Sequence, residues 1–183
     1  MLINQFGLLG EFEQLVEQGI AFTYSEPLSE IAVGEVALAD EPVTPGEAVT
    51  VRAGEEMEFI YDVRAEFARA SQPGFDGLHI RTQSEPDFLK LEMGEPLAEV
   101  IPDSVRTTSS GLTVFFPTNR VNFGNNRLVR VTFRTSILVY ATDLESALTD
   151  TRGGLPQPVA SGDANGDGFG STRVFFSEAG LGR

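Results

Sequence analysis

Met57-Glu58-Phe59-Ile60-Tyr61-Asp62-Val63-Arg64-Ala65-Glu66-Phe67 is the stretch on which the fold turns. Met57, Phe59, Tyr61, Val63, Ala65 and Phe67 alternate with Glu58, Ile60, Asp62, Arg64 and Glu66. Successive side chains of a strand point to opposite faces, so this alternation predicts a long strand with an apolar face buried and a mainly charged face outward. A second run repeats the pattern: Val129, Val131, Phe133, Thr135, Ile137 and Val139 alternate with Arg130, Thr132, Arg134, Ser136 and Leu138.

Outward from these two runs, shorter candidate strands fall at 31–39, 48–52, 78–82, 88–93, 112–116 and 172–176. Turn signals separate them: Thr44-Pro45-Gly46, Gln72-Pro73-Gly74, Ser109-Ser110-Gly111 and Gly124-Asn125-Asn126. Strands punctuated by turns, with almost no helix between them, predict an all-β fold. An antiparallel β-sandwich of immunoglobulin-like or jelly-roll-like type is expected. One helix is expected before it. Leu8, Phe12, Leu15, Val16 and Ile20 fall near helical spacing, Glu11, Glu13 and Glu17 lie opposite, and Gly19 would end the segment. After Asp150 the composition shifts, and 151–170 is rich in Gly, Pro and Ser without periodicity. The expected organisation is an N-terminal helical docking segment (1–30), a sandwich (31–150) and a C-terminal extension with a terminal strand (151–183).

Composition narrows the function. The chain has 183 residues, with 27 acidic against 13 basic side chains and a formal charge of −14. There is no basic patch to neutralise phosphates, so nucleic acid and anionic lipid are not expected partners. There is no cysteine, which removes disulfides, thiolate metal ligands and thiol nucleophiles together. No apolar stretch is long enough for a spanning helix, and Met1-Leu2-Ile3-Asn4-Gln5 does not have the pattern of a signal peptide. His79 is the only histidine, and it has neither a nucleophile elbow nor further histidines for a zinc site. The acids Glu55-Glu56, Asp40-Glu41 and the set Glu92, Glu95 and Glu99 would serve glycoside hydrolysis only if two faced each other across a cleft. No catalytic residue is therefore expected.

The sharpest motif lies in the extension: Gly162-Asp163-Ala164-Asn165-Gly166-Asp167-Gly168. Asp163, Asn165 and Asp167 occupy positions 1, 3 and 5 of a calcium loop, Gly168 stands at position 6, and Phe169 follows at position 7, where a backbone carbonyl ligates. Alternate oxygens then converge on one hard cation. Position 12, which should supply a carboxylate, is Val174, and Glu178 comes four residues too late, so a further ligand must come from elsewhere. The same residues also suit an Asx-rich turn held by side-chain to backbone hydrogen bonds. The motif resembles half of the calcium loop of dockerins and related bacterial surface proteins. The strand rhythm from Val49 to Tyr140, with Gly74-Phe75-Asp76-Gly77-Leu78-His79-Ile80 early in it, is similar to that of cohesin-like and immunoglobulin-like modules.

The resemblance implies a calcium ion as cofactor and an extracellular or cell-surface location. Phe115-Phe116 and Phe175-Phe176 put neighbouring rings on opposite sheet faces, so one ring of each pair needs a cover outside the core. These readings predict a non-catalytic structural subunit of a bacterial extracellular assembly (fibre, surface layer or adhesin). It would self-associate through its terminal segments into a homo-oligomer or filament stabilised by calcium. The alternative is a polysaccharide- or protein-binding module of a larger secreted protein.

Overall fold

The computed structural model describes residues 26–41, 49–117, 121–139 and 141–177. Among the described residues there are fourteen strands and no helix, so none is long and apolar enough to cross a membrane. The helix expected over residues 8–20 lies outside the described residues.

The two strongest alternating runs become β3 (Glu56–Glu66) and β9 (Leu128–Ser136), and they are neighbours. They pair antiparallel with Phe59 opposite Phe133, Tyr61 opposite Val131 and Val63 opposite Val129. The register places every one of these side chains on one face, and each is 0% exposed. The Phe59 and Phe133 rings stack with centroids 5.9 Å apart. Four more strands extend this pair: β1 (Ile31–Leu38), β5 (Asp87–Met93), β6 (Ala98–Val100) and β13 (Ala160–Ser161). The six run in the order β13-β1-β3-β9-β5-β6.

A five-stranded sheet has the order β12-β11-β4-β8-β7. Its members are β4 (Gly77–Arg81), β7 (Ser104–Thr108), β8 (Gly111–Phe115), β11 (Ser146–Asp150) and β12 (Gly154–Pro158). Leu78, Ile80, Leu112, Val114 and Leu148 from this sheet join Phe59, Tyr61, Val63, Val131 and Phe133 from the other in one buried cluster. A shared core between two sheets fits a β-sandwich. Tyr61 bridges it to a connection: its hydroxyl donates to the Leu144 carbonyl at 2.7 Å, and burial pushes its pKa up to about 12.

A third, small sheet holds β2 (Val49–Arg52), β10 (Ala141–Asp143) and β14 (Arg173–Ser177), with β14 between the others. Here the all-antiparallel expectation needs correcting. β14 runs parallel to β2, and β13 runs parallel to β1. Both parallel pairs come from the C-terminal extension, which returns along strands already placed. The aperiodic 151–170 stretch carries β12 and β13, because pairing at a sheet edge uses backbone groups and requires no alternation of side chains. β9 also ends earlier than its pattern suggests. Leu138 and Val139 give their amides to the Gln83 side chain, at 2.5 and 3.2 Å, and their side chains are exposed.

The cover for the second ring of a Phe pair is found within the chain. Phe116 is buried in the core, while the half-buried Phe115 lies under the Arg106 guanidinium of neighbouring β7, 5.7 Å from the ring centroid. Arg173 stands 6.0 Å from the Phe175 ring in the same way. Arginine stacks well on aromatic faces, so neither ring requires a second molecule.

Candidate metal centre

β1 builds the floor of the site. Ala32, Gly34, Val36 and Leu38 face the core, so Val33, Glu35 and Ala37 face out from the sheet. Gly34 is required on the inner side, since a Cβ there would stand 2.9 Å from Val159 Cγ1 and 3.2 Å from the Tyr61 hydroxyl. On the outer face a charged row crosses the sheet. Glu35 lies opposite Asp62, Asp62 opposite Arg130, and Arg130 opposite Glu92. Arg130 grips Asp62 with two bonds of 2.7 Å, which satisfies that buried carboxylate. Among the described residues Glu35 has no such cation, although it is only 6% exposed.

The 162–171 segment covers Glu35 from outside, and β1 holds both of its ends. The Gly162 amide donates to the Gly34 carbonyl at 3.0 Å, and the Val36 amide donates to the Ser171 carbonyl at 2.9 Å. Glu35 sits between these two anchors, and its side chain enters the loop. Oε1 accepts the amides of Ala164 at 3.0 Å and Asn165 at 2.6 Å. From β3, Arg64 donates Nε–H to the Ala164 carbonyl at 2.6 Å and pairs with Glu95. The loop closes tightly: a Cβ on Gly170 would fall 2.4 Å from the Gly162 carbonyl oxygen.

Inside the loop, side-chain oxygens collect the backbone amides. Asp163 accepts Gly166 N–H at 2.7 Å and Gly168 N–H at 2.8 Å, one on each oxygen. Asn165 accepts Asp167 N–H at 2.9 Å, and Asp167 accepts Phe169 N–H at 2.9 Å. Gly166 and Gly168 sit at φ of 88° and 95°, the region that favours glycine. One carboxylate oxygen from each of Glu35, Asp163 and Asp167 lies within 4.8 Å of the other two. Oxygens bound to one calcium at 2.3–2.6 Å are no more than about 5 Å apart, so this spacing suits a shared cation.

Electrostatics point the same way. Burial is the main reason that the Glu35 carboxyl is raised from 4.5 to about 7. The amides of Asn165 and Ala164 oppose the rise, and the charges of Asp62 and Asp167 add to it. Three acids thus converge where one of them ionises with difficulty, an arrangement that a divalent cation relieves.

Asp163 and Asp167 are therefore brought together with Glu35, while the side-chain oxygen of Asn165 is on the Asp167 amide. Phe169 follows them with its amide bonded to Asp167, and the residue is 51% exposed. Val174, at position 12, is buried in the core on β14 and offers no oxygen from its side chain. Glu178 lies outside the described residues. Glu35, although remote in sequence, brings a third carboxylate to within 4.8 Å of those of Asp163 and Asp167. A lone acid within Ile31-Ala32-Val33-Gly34-Glu35-Val36-Ala37-Leu38 was the available signal.

Of the other titratable residues singled out in the sequence, Glu41 lines the same hollow as Glu35 and Asn165, and Glu95 reaches the loop through Arg64. His79 is on the outer face of β4, with Nδ1 2.9 Å from the Thr113 hydroxyl. Burial, and then the Arg81 charge, hold its pKa below the ordinary value. Glu55, Glu92 and Glu95 pair with Arg52, Lys90 and Arg64. Compared with known proteins, the chain matches no family model and no curated protein.

Proposed function

We propose that this chain is a non-catalytic sandwich module, immunoglobulin-like or jelly-roll-like, of a bacterial extracellular assembly such as a fibre, surface layer or adhesin. In this reading a calcium ion fastens its C-terminal extension to the sheet. Asp163, Asn165, Asp167, the Phe169 carbonyl and Glu35 would hold the ion. The carrying observation is Glu35, a buried acid with no ion pair among the described residues, placed with the carboxylates of a half calcium loop. Five protein ligands leave room for water, since calcium takes six to eight oxygens. Such sites in extracellular modules bind at roughly 10⁻⁴–10⁻³ M, in keeping with calcium-replete surroundings.

Because Glu35 belongs to the same chain, the ion stiffens the module itself, and contact with neighbouring copies falls to other surfaces. Ile101 (86% exposed) and Leu155 (72%) are apolar residues available for such contact. The test is solution mass by light scattering together with thermal unfolding, each in millimolar calcium and in chelator. Species heavier than the 19.8 kDa monomer, with calcium-raised unfolding, support the assembly module. A calcium-stabilised monomer in both conditions removes the assembly and leaves a binding module. That second reading has one observation in its favour: an open groove of about 700 Å³ on the outer side of the five-stranded sheet, lined by His79, Arg81, Ser110, Glu145 and Pro158.

A further inference from the structure

Asn165-Gly166 is the sole Asn-Gly pair in the sequence, and it lies inside the loop. Asparagine before glycine is chemically labile because no side chain on the following residue hinders attack by its backbone nitrogen. The Gly166 nitrogen attacks Asn165 Cγ, a new N–Cγ bond forms and the Cγ–Nδ2 bond breaks. The amide proton leaves with Nδ2 as ammonia, and a succinimide remains. Water then opens the ring at either carbonyl, giving aspartate or isoaspartate.

In the closed loop the attacking nitrogen and the side-chain carbonyl oxygen are already engaged, and the Asn165 backbone is held as well. Gly166 N–H is held by Asp163 Oδ1 at 2.7 Å, Asn165 Oδ1 accepts Asp167 N–H at 2.9 Å, and Asn165 N–H is held by Glu35 at 2.6 Å. The side-chain carbonyl and its attacking nitrogen are thus each turned to a different partner. The residue nevertheless lies on the exposed side of the loop, where water reaches it as soon as those bonds break.

We propose that Asn165 is a latent deamidation site, silent while the 163–169 loop is closed and reactive when the loop opens, and that its conversion to isoaspartate permanently unfastens this loop from Glu35. Isoaspartate inserts an extra methylene into the backbone between residues 165 and 166. This displaces the spacing by which Asp163 and Asp167 face Glu35. The observed rate is the open fraction of the loop multiplied by the rate in the open chain, as for local opening in amide exchange. The dependence on calcium rests on the function proposed above, whereas the gating by loop closure does not.

The full chain is incubated under mildly alkaline, warm conditions in millimolar calcium, in chelator and in urea. Peptide mapping then separates asparagine, aspartate and isoaspartate at residue 165. Urea should give the fastest conversion, chelator a slower one and calcium the slowest. At free calcium one hundred times its dissociation constant, the last two should differ by about 100-fold. Equal rates in chelator and urea would overturn the proposal. Equal rates in calcium and chelator, both far below urea, would uphold gating by the loop and remove the calcium reading instead. Chains aged in chelator should also lose the rise in unfolding temperature that calcium gives fresh protein. Retention of that rise by the isoaspartate form would overturn the unfastening.

Discussion

Glu35→Gln should raise stability in the absence of calcium and cut the stabilisation that calcium adds. Glutamine keeps a carbonyl oxygen for the amides of Ala164 and Asn165 and removes the charge. In the metal-free protein the Glu35 carboxyl rises from 4.5 to about 7. At about 1.4 kcal/mol per pH unit, that gap sets the cost of ionising Glu35 in the fold at roughly 3 kcal/mol as a ceiling. Glutamine avoids this cost but brings an NH2 group that needs partners, so the net gain in chelator above neutral pH should be about 1–2 kcal/mol. For a domain of this size that raises the unfolding temperature by roughly 2–8 °C.

With calcium at one hundred times its dissociation constant, the wild-type chain gains about 2.7 kcal/mol, or roughly 5–11 °C. Loss of a ligand should weaken the site at least as much as loss of an outer-shell partner, about 10–100-fold. The variant would then keep only about 0.4–1.4 kcal/mol of the calcium gain. Differential scanning calorimetry of both proteins in chelator and in calcium reads all four values. A variant that responds to calcium as the wild type does, or that is less stable than the wild type in chelator, would refute the role given to Glu35.

Three further outcomes follow from the same structure. In chelator, the folded protein holds a proton on Glu35 between pH 4.5 and about 7, where the unfolded chain has lost it. This contribution to stability is fully present below pH 4.5 and lost as the pH rises to about 7, which urea unfolding across that range would show and saturating calcium would flatten. Arg64→Met keeps the apolar stem but removes the 2.6 Å bond to the Ala164 carbonyl. It should cost about 1–2 kcal/mol and speed proteolysis within 160–171, while cleavage elsewhere is unchanged. Phe133→Ala empties a fully buried position stacked on Phe59. A loss of about 3–5 kcal/mol in urea unfolding is expected, regardless of calcium.

The long strands could be read from the sequence because their own alternation carries the information. Nine or more consecutive residues in β3 and β9 establish a period and a buried face. β6 and β13, with three and two residues, are too short to show a period at all. β12 holds two prolines, Pro156 and Pro158, and reads as linker, yet it lies at the margin of its sheet, where proline is tolerated. Nor could alternation reveal that Arg106 covers Phe115, because the contact depends on which strands become neighbours.

The candidate site divides along the same line. Asp163, Asn165 and Asp167 are legible because calcium loops take oxygens at alternate positions, a local regularity. Glu35 enters from a strand near the other end of the chain, brought there by the paired Gly162–Gly34 and Val36–Ser171 hydrogen bonds. Half a motif therefore signals that something is missing without saying where it will come from. The open place at position 12 was itself the useful clue, because it required a carboxylate from outside the loop.

The most direct test of calcium fastening is a calorimetric titration of calcium into the metal-stripped full chain near neutral pH, repeated in buffers of different protonation enthalpy. One ion should bind per chain, with a dissociation constant of roughly 10⁻⁴–10⁻³ M. Buffer-dependent heats should reveal protons leaving Glu35 as the ion enters. An absence of binding heat at millimolar calcium, with no change in unfolding temperature, would contradict the account and leave 163–169 as a turn held by its own side chains.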